Sequence, residues 1–186
     1  SGLEFNAEKA KPDAPEIVIY QDYQCPLCKE VSTAIDDQLS TLNREGKIRL
    51  RYSILKFLDI NLRNDSSTKA ARAATCADVV GKFHEMNSAI YAGQPAREGD
   101  GYTQEQLTKE FPSSAGITGD DLQTWKSCYS EGKTDKVLDE MTKKADDARV
   151  AGTPTYLIDG KKWDFQGVEP GMSPERLLEV IENFRK

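Results

Sequence analysis

Ile17-Val18-Ile19-Tyr20-Gln21-Asp22-Tyr23-Gln24-Cys25-Pro26-Leu27-Cys28 carries a short apolar run into two cysteines three positions apart. The β-branched residues at its start suit a buried strand. Downstream, Cys28, Val31, Ile35, Leu39 and Leu42 recur at helical spacing and fall within an arc of about 80° on a helical wheel. The spacing therefore predicts strand, turn and amphipathic helix, with Cys28 on the core-facing stripe and Cys25 at its rim, exposed at the helix start. Pro26 fits the first helical position, where its missing N–H has no intrahelical partner and its fixed φ already matches the helix.

That placement has chemical consequences. Only a thiolate attacks a disulfide, and a free cysteine is about 3% thiolate at neutral pH. Helix-end amides and the helix dipole stabilise an anion by up to ~2 kcal/mol in a partly buried site, and ~1.4 kcal/mol is one pKa unit, so Cys25 is expected to approach half ionisation. Cys28, one turn later and facing inward, would stay protonated until needed to resolve a mixed disulfide at Cys25. Two other readings of the pair are half of a zinc site and an inert structural disulfide. A structural zinc site wants four ligands, and the candidates left are Cys76, Cys128 and the single histidine, His84, so no metal is expected. Pro26 and the helix start argue against the inert disulfide.

Near the other end, Ala151-Gly152-Thr153-Pro154 precedes Thr155-Tyr156-Leu157-Ile158, so a proline opens a strand where its absent donor does least harm. Asp159-Gly160 reads as a hairpin turn, with Lys162-Trp163-Asp164-Phe165 as the returning strand. Ser173-Pro174 caps a last helix with Leu177, Leu178, Ile181 and Phe184 on one face. The order is strand, helix, strand, a long helical stretch, hairpin and helix.

The motif Cys25-Pro26-Leu27-Cys28 after a strand, with Gly152-Thr153-Pro154 opening a later hairpin and helices between, resembles the DsbA-like thiol:disulfide oxidoreductases over about residues 14 to 186. The resemblance implies an α/β thioredoxin fold with an inserted helical domain. The thioredoxin domain would comprise residues 14–63 and 150–186, the insert residues 64–149, and residues 1–13 a lead. It also implies a cis Thr153–Pro154 bond facing the cysteine pair, with Thr153's backbone offered to an extended substrate as if to an added β-strand. Two departures stand out. The most oxidising members have Pro-His between the cysteines; Leu27 supplies no donor or charge, so a less stabilised thiolate and a less oxidising disulfide are expected. Six residues before Cys25, where relatives carry a buried acid that moves a proton, stands Ile19. Water or Asp22 is left for that task, although Asp22 reads first as a turn residue.

In the insert, Ser66-Ser67-Thr68 caps an alanine-rich helix, Phe83, Met86 and Ile90 mark a second, and residues 94–101 read as a loop. Leu107, Phe111, Leu122, Trp125 and Tyr129 mark short helices, and residues 134–149 a longer amphipathic one. Cys76 and Cys128 both fall here. Four cysteines allow three pairings, and only Cys76–Cys128 leaves Cys25 with Cys28. A structural disulfide is expected, against two buried thiols or a second redox centre. His84, beside Phe83 and Met86, reads as packed or surface rather than as a base. Trp163 and Phe165 could line a groove, although alternation puts one of them in the core.

At 186 residues, with 38% hydrophobic and 30% charged side chains, the chain can bury a core and is neither disordered nor membrane-spanning in composition. A net charge of −6 without a basic stripe argues against nucleic acid as partner. Ser1-Gly2 and the polar lead point to a chain cut after an export signal or membrane anchor, with Ser1-Gly2 as a cloning remnant, and a second disulfide points to an oxidising compartment. The expectation is an extracytoplasmic dithiol oxidase, in a bacterial cell envelope or periplasm-like space. It would work as a monomer on reduced, unfolded exported proteins, with no cofactor beyond the Cys25–Cys28 disulfide. The resemblance implies a membrane reoxidase of the DsbB or VKOR type. The rivals are an envelope reductase or isomerase using the same pair, and a non-catalytic binding module.

Overall fold

The computed structural model describes residues 2–186, so Ser1 of the proposed remnant lies outside the described residues. Strand β2 (Glu16–Gln21) occupies the middle of a five-stranded sheet. Alternation buries its Ile17, Ile19 and Gln21. Helix α1 (Pro26–Arg44) is the crossover that brings β3 (Arg49–Ile54) back parallel to β2, pairing Ile17 with Leu50 and Ile19 with Tyr52. After the helical segment, β4 (Thr155–Ile158) returns antiparallel on the other side of β2, and β5 (Lys161–Lys162) completes that edge. Cys28, Ile35, Leu39 and Leu42 are all buried, as the periodicity of α1 requires. Helix α8 (Pro174–Arg185) is capped by Ser173 Oγ accepting from Arg176 N and buries Leu177, Val180 and Ile181.

The first thirteen residues correct the reading of a separate lead. Strand β1 (Leu3–Phe5) pairs antiparallel with β3, and the following chain is tied to the α1–β3 turn by Lys11 N donating to Gly46 O at 2.9 Å. Gly46 has φ 72°, and a Cβ there would stand 2.1 Å from Lys9 O, so only glycine permits this approach. The apolar spacing of Leu3 and Phe5 was too brief to reveal a strand against the charged residues around it. The returning strand also differs: it ends at Lys162, and at Phe165 the backbone takes φ 62° and turns away. Trp163 is buried, and Phe165 packs on it and on Tyr156 with ring centroids 5.0 Å apart in each case, so neither lines a groove.

The helical segment comprises α2 (Leu58–Leu62), α3 (Ser66–Val79), α4 (Phe83–Ala92), α5 (Phe111–Ser114, continuing a π turn over Gln106–Glu110), α6 (Gly119–Glu131) and α7 (Asp135–Asp147). Ala70, Ala71, Ala73, Ala74 and Ala77 of α3 are fully buried, and their small side chains let neighbouring helices approach closely. Trp125 of α6 donates its Nε1–H to Ala73 O at 3.0 Å. Cys76 and Cys128 form a disulfide between α3 and α6. His84 packs against Phe5, Tyr52 and Phe83 as a packed aromatic, and burial lowers its pKa. No helix among the described residues is long and apolar enough to cross a membrane.

Candidate active site

Cys25 is the N-cap of α1, with extended backbone (φ −80°, ψ 116°), and its Sγ accepts the Cys28 N–H at 3.3 Å. Pro26 holds the first helical position. The Thr153–Pro154 bond is cis, and Thr153 O lies 3.6 Å from Cys25 Sγ. The structure thus brings together the cysteines and the Thr153-Pro154 pair, 128 positions downstream of Cys25. Both cysteines are free. Cys25 is less accessible than a helix-rim position suggests, at 8% exposure, because Thr153 and Gln94 both touch it. Cys28 is more deeply buried, and Leu27 is 52% exposed beside the pair.

The two sulfurs are electrostatically opposite. The Cys25 thiol is lowered to about 6, chiefly because Cys28 donates a hydrogen bond to its anion. Burial works against that, and the Cys28 and Leu27 amides and Thr153 add to it. Burial pushes Cys28 far above the ordinary thiol range, and the neighbouring Cys25 anion pushes it further. At pH 7 a thiol of pKa about 6 is roughly nine-tenths ionised. The arrangement is one nucleophilic sulfur and one sulfur that keeps its proton.

The remaining sequence candidates fall into place around this pair. Cys76 and Cys128 are consumed in their disulfide, and among the described residues no three His, Cys, Asp or Glu side chains form a metal-sized cluster. Asp22 is a turn residue, as read, but a fully buried one. Its Oδ1 accepts Gln24 N at 3.0 Å and Ser67 Oγ at 2.5 Å, and its Oδ2 accepts Leu58 N at 3.2 Å. Burial nevertheless raises its pKa to about 6.

Sequence reasoning missed a second buried acid and the polar side chains from the insert. Asp36 lies two helical repeats beyond Cys28, with Ser32 between them at i+4. Its Oδ2 accepts from Ser32 Oγ and from Asn87 Nδ2 (2.9 Å), while Oδ1 has no hydrogen-bond partner among the described residues. Asn87 Oδ1 in turn accepts from Gln21 and Tyr23, both at 2.7 Å. Burial pushes Asp36 up to about 7, and the Ser32 and Asn87 donors recover only part of the cost. The signal available in the sequence was Ser32 and Asp36 flanking the apolar stripe of α1 at helical spacing.

A raised carboxyl pKa sets the sign of its pH dependence. Between the unfolded value of 3.8 and about 7, the folded chain holds more protons at Asp36 than the unfolded chain, so stability falls as pH rises through that window. Asp36→Asn is isosteric and uncharged. It is expected to raise stability by about 2 kcal/mol at pH 8, with the difference closing below pH 4, as read by denaturant midpoints across pH. An equal effect at both pH values would contradict the assignment of a buried charge.

A family model described as "Thioredoxin" matches residues 10–183. Reduced DsbA from Mycobacterium tuberculosis superposes with a TM-score of 0.74 at 21% identity, covering 98% of this chain and 91% of that one. MdbA, a thiol-disulfide oxidoreductase from Corynebacterium diphtheriae, gives 0.74 at 23% identity, covering 97% and 89%. DsbG, a disulfide bond oxidoreductase from M. tuberculosis, gives 0.74 at 22%, covering 98% and 86%. Among curated sequences, the Na(+)/H(+) antiporter NhaA 1 of Mycobacterium sp. (strain KMS) is 29% identical over 164 residues, 84% of this chain. The chain spans about a quarter (24%) of that relative's length. By the extent of the family match, and by a fold that sets helices between the halves of the sheet domain, the chain belongs to the thioredoxin family and has the DsbA-like fold.

Proposed function

We propose that the chain is an extracytoplasmic thiol:disulfide oxidoreductase that passes its Cys25–Cys28 disulfide to reduced exported proteins. The observation that carries the reading is the unequal setting of the sulfurs: Cys25 Sγ caps α1, accepts the Cys28 N–H at 3.3 Å and lies 3.6 Å from Thr153 O, whereas Cys28 is buried behind it, an arrangement that lowers the first thiol and raises the second. A client thiolate attacks Cys25 Sγ in the oxidised pair; the S–S bond breaks, and Cys28 leaves as a thiolate and takes a proton. A second client thiolate then attacks the client sulfur of the mixed disulfide. The client disulfide leaves, and Cys25 departs as the stabilised thiolate. Two electrons pass from client to enzyme, and a membrane reoxidase of the DsbB or VKOR type removes them.

Thr153 and Pro154, half-buried against Cys25, are the natural place for an extended client segment to lie, with exposed Leu27 on the other side. The structural disulfide supports an oxidising compartment. The match to part of an antiporter supports work at a membrane, as an anchored or exported domain. No cofactor beyond the cysteine pair and no second subunit is required by this chemistry.

Leu27 favours a second reading, an envelope reductase or isomerase, because it adds no donor to the thiolate and so moderates the oxidising power. The reduction potential separates the two. A Cys25 value of about 6 lies between the ~7 of thioredoxin and the ~3.5 of DsbA. The expected potential therefore lies between about −270 and about −120 mV, measured by equilibration with glutathione. A value at or below the thioredoxin end would transfer the assignment to reduction.

A further inference from the structure

The turn that presents Cys25 is held from outside its own domain. Gln94, in the loop that follows α4, donates its side-chain amide to two carbonyls of that turn: Tyr23 O at 2.9 Å and Cys25 O at 3.1 Å. Tyr102, at the far end of the same loop, donates its hydroxyl to Tyr23 O at 2.5 Å. The loop is itself braced. Gln106 Nε2 donates to Gly93 O at 3.2 Å, and a Cβ on Gly93 would stand 2.4 Å from the Phe111 ring, so glycine lets the backbone lie against α5. From the opposite side Gln24 Nε2 reaches Asp59, Asn64 and Ser67 at 2.8–2.9 Å. Every residue from Asp22 to Cys25 is thereby bonded to the helical segment.

We propose that Gln94 is a positioning residue for Cys25: its amide group bonds the Tyr23 and Cys25 carbonyls, and so holds the turn that keeps the thiolate facing the Cys28 amide and weakens the field of those two oxygens on it. Two effects follow from elementary electrostatics. A carbonyl oxygen beside a sulfur anion disfavours the anion, and less so as more donors share its lone pairs: Gln94 is the second donor to Cys25 O, which also accepts Lys29 N at 3.2 Å, and the second to Tyr23 O beside Tyr102. A turn fixed at two carbonyls cannot swing the sulfur away from the amide that stabilises it. Gln94 bonds to the backbone of the turn and to neither sulfur, so it acts through the turn. Its consequence for catalysis rests on the proposed function; its consequence for thiol ionisation does not.

The test uses the full chain with shape-conserving changes. Gln94→Met keeps length and removes both donors; Gln94→Glu keeps shape and places a carboxylate against the two carbonyls. Tyr102→Phe removes a donor from Tyr23 O without touching Cys25 O. The Cys25 pKa, read by thiolate absorbance, is expected to rise by about one unit in Gln94→Met, so that alkylation at pH 6 slows about five-fold. It should rise further in Gln94→Glu and less in Tyr102→Phe. A merely structural role would lower the melting temperature of both Gln94 variants and leave the Cys25 pKa in place, which would overturn the proposal, as would equal shifts in Gln94→Met and Tyr102→Phe. If Gln94→Met does not fold, the Glu variant carries the same comparison. Turnover of a small dithiol by the wild-type chain is measured alongside. Failure there refutes the oxidoreductase reading and leaves the ionisation result standing.

Discussion

Cys25→Ser is expected to reduce thiol exchange to background, whereas Cys28→Ser, which cannot form the internal disulfide, should still let the Cys25 thiolate attack a client disulfide, expel one client thiolate and accumulate as a disulfide-linked complex. The asymmetry follows from the environments of the two sulfurs. Cys25 is the less buried of the two, with Thr153 O at 3.6 Å and an anion stabilised by its partner, so without it no sulfur is placed to receive a client. Without Cys28 the captured client cannot be displaced from within, and release must wait for an outside thiol. Non-reducing gels after mixing each reduced variant with a disulfide-containing client report both outcomes. Similar residual activity in the two variants, or complexes formed by Cys25→Ser, would contradict the assigned roles.

The second large effect concerns stability. Cys76–Cys128 closes a loop of 52 positions within the helical segment. On the chain-entropy account such a cross-link stabilises by about 4 kcal/mol. That is a large share of the roughly 5–15 kcal/mol that holds a typical domain folded. The pair joins α3 to α6 beside the Trp125–Ala73 bond, so the loss is felt where the insert packs. Replacing both cysteines by alanine is expected to lower the melting temperature by about 10 °C for a chain of this size. The Cys25 thiolate should titrate unchanged while the protein stays folded. A drop of a degree or less would place the stabilisation elsewhere, in the alanine face and Trp125.

Much of this arrangement could be read in the residues themselves. Strand, helix and sulfur placement around Cys25 followed from β-branching, the position of Pro26 and a five-residue apolar stripe, because local sequence decides those features. The Cys76–Cys128 pairing followed from arithmetic once Cys25 and Cys28 were set apart. Long-range features were hidden. Strand β1 rests on pairing with β3 and on a close approach at Gly46, neither of which leaves a local pattern in a three-residue strand. Strand β5 was overextended because Trp163 and Phe165 alternate as strand residues do, yet they pack on Tyr156 after the chain has turned. Asp36, Asn87 and Gln94 are polar side chains at positions that composition marks as solvated. Apart from the Ser32–Asp36 bond within α1, their partners lie 51 to 71 residues away, and only folding puts them in reach. The reading of Cys25 as exposed erred for the same reason: its cover comes from Gln94 and Thr153.

The most direct measurement is the titration of the reduced wild-type protein, followed both by thiolate absorbance and by the rate of alkylation at Cys25. A single first transition near pH 6, with rapid alkylation already at neutral pH and Cys28 silent until far above the ordinary thiol range, is the expected result. A first transition at about 8.5, where a free cysteine ionises, would contradict it and remove the basis for assigning thiol exchange to this pair.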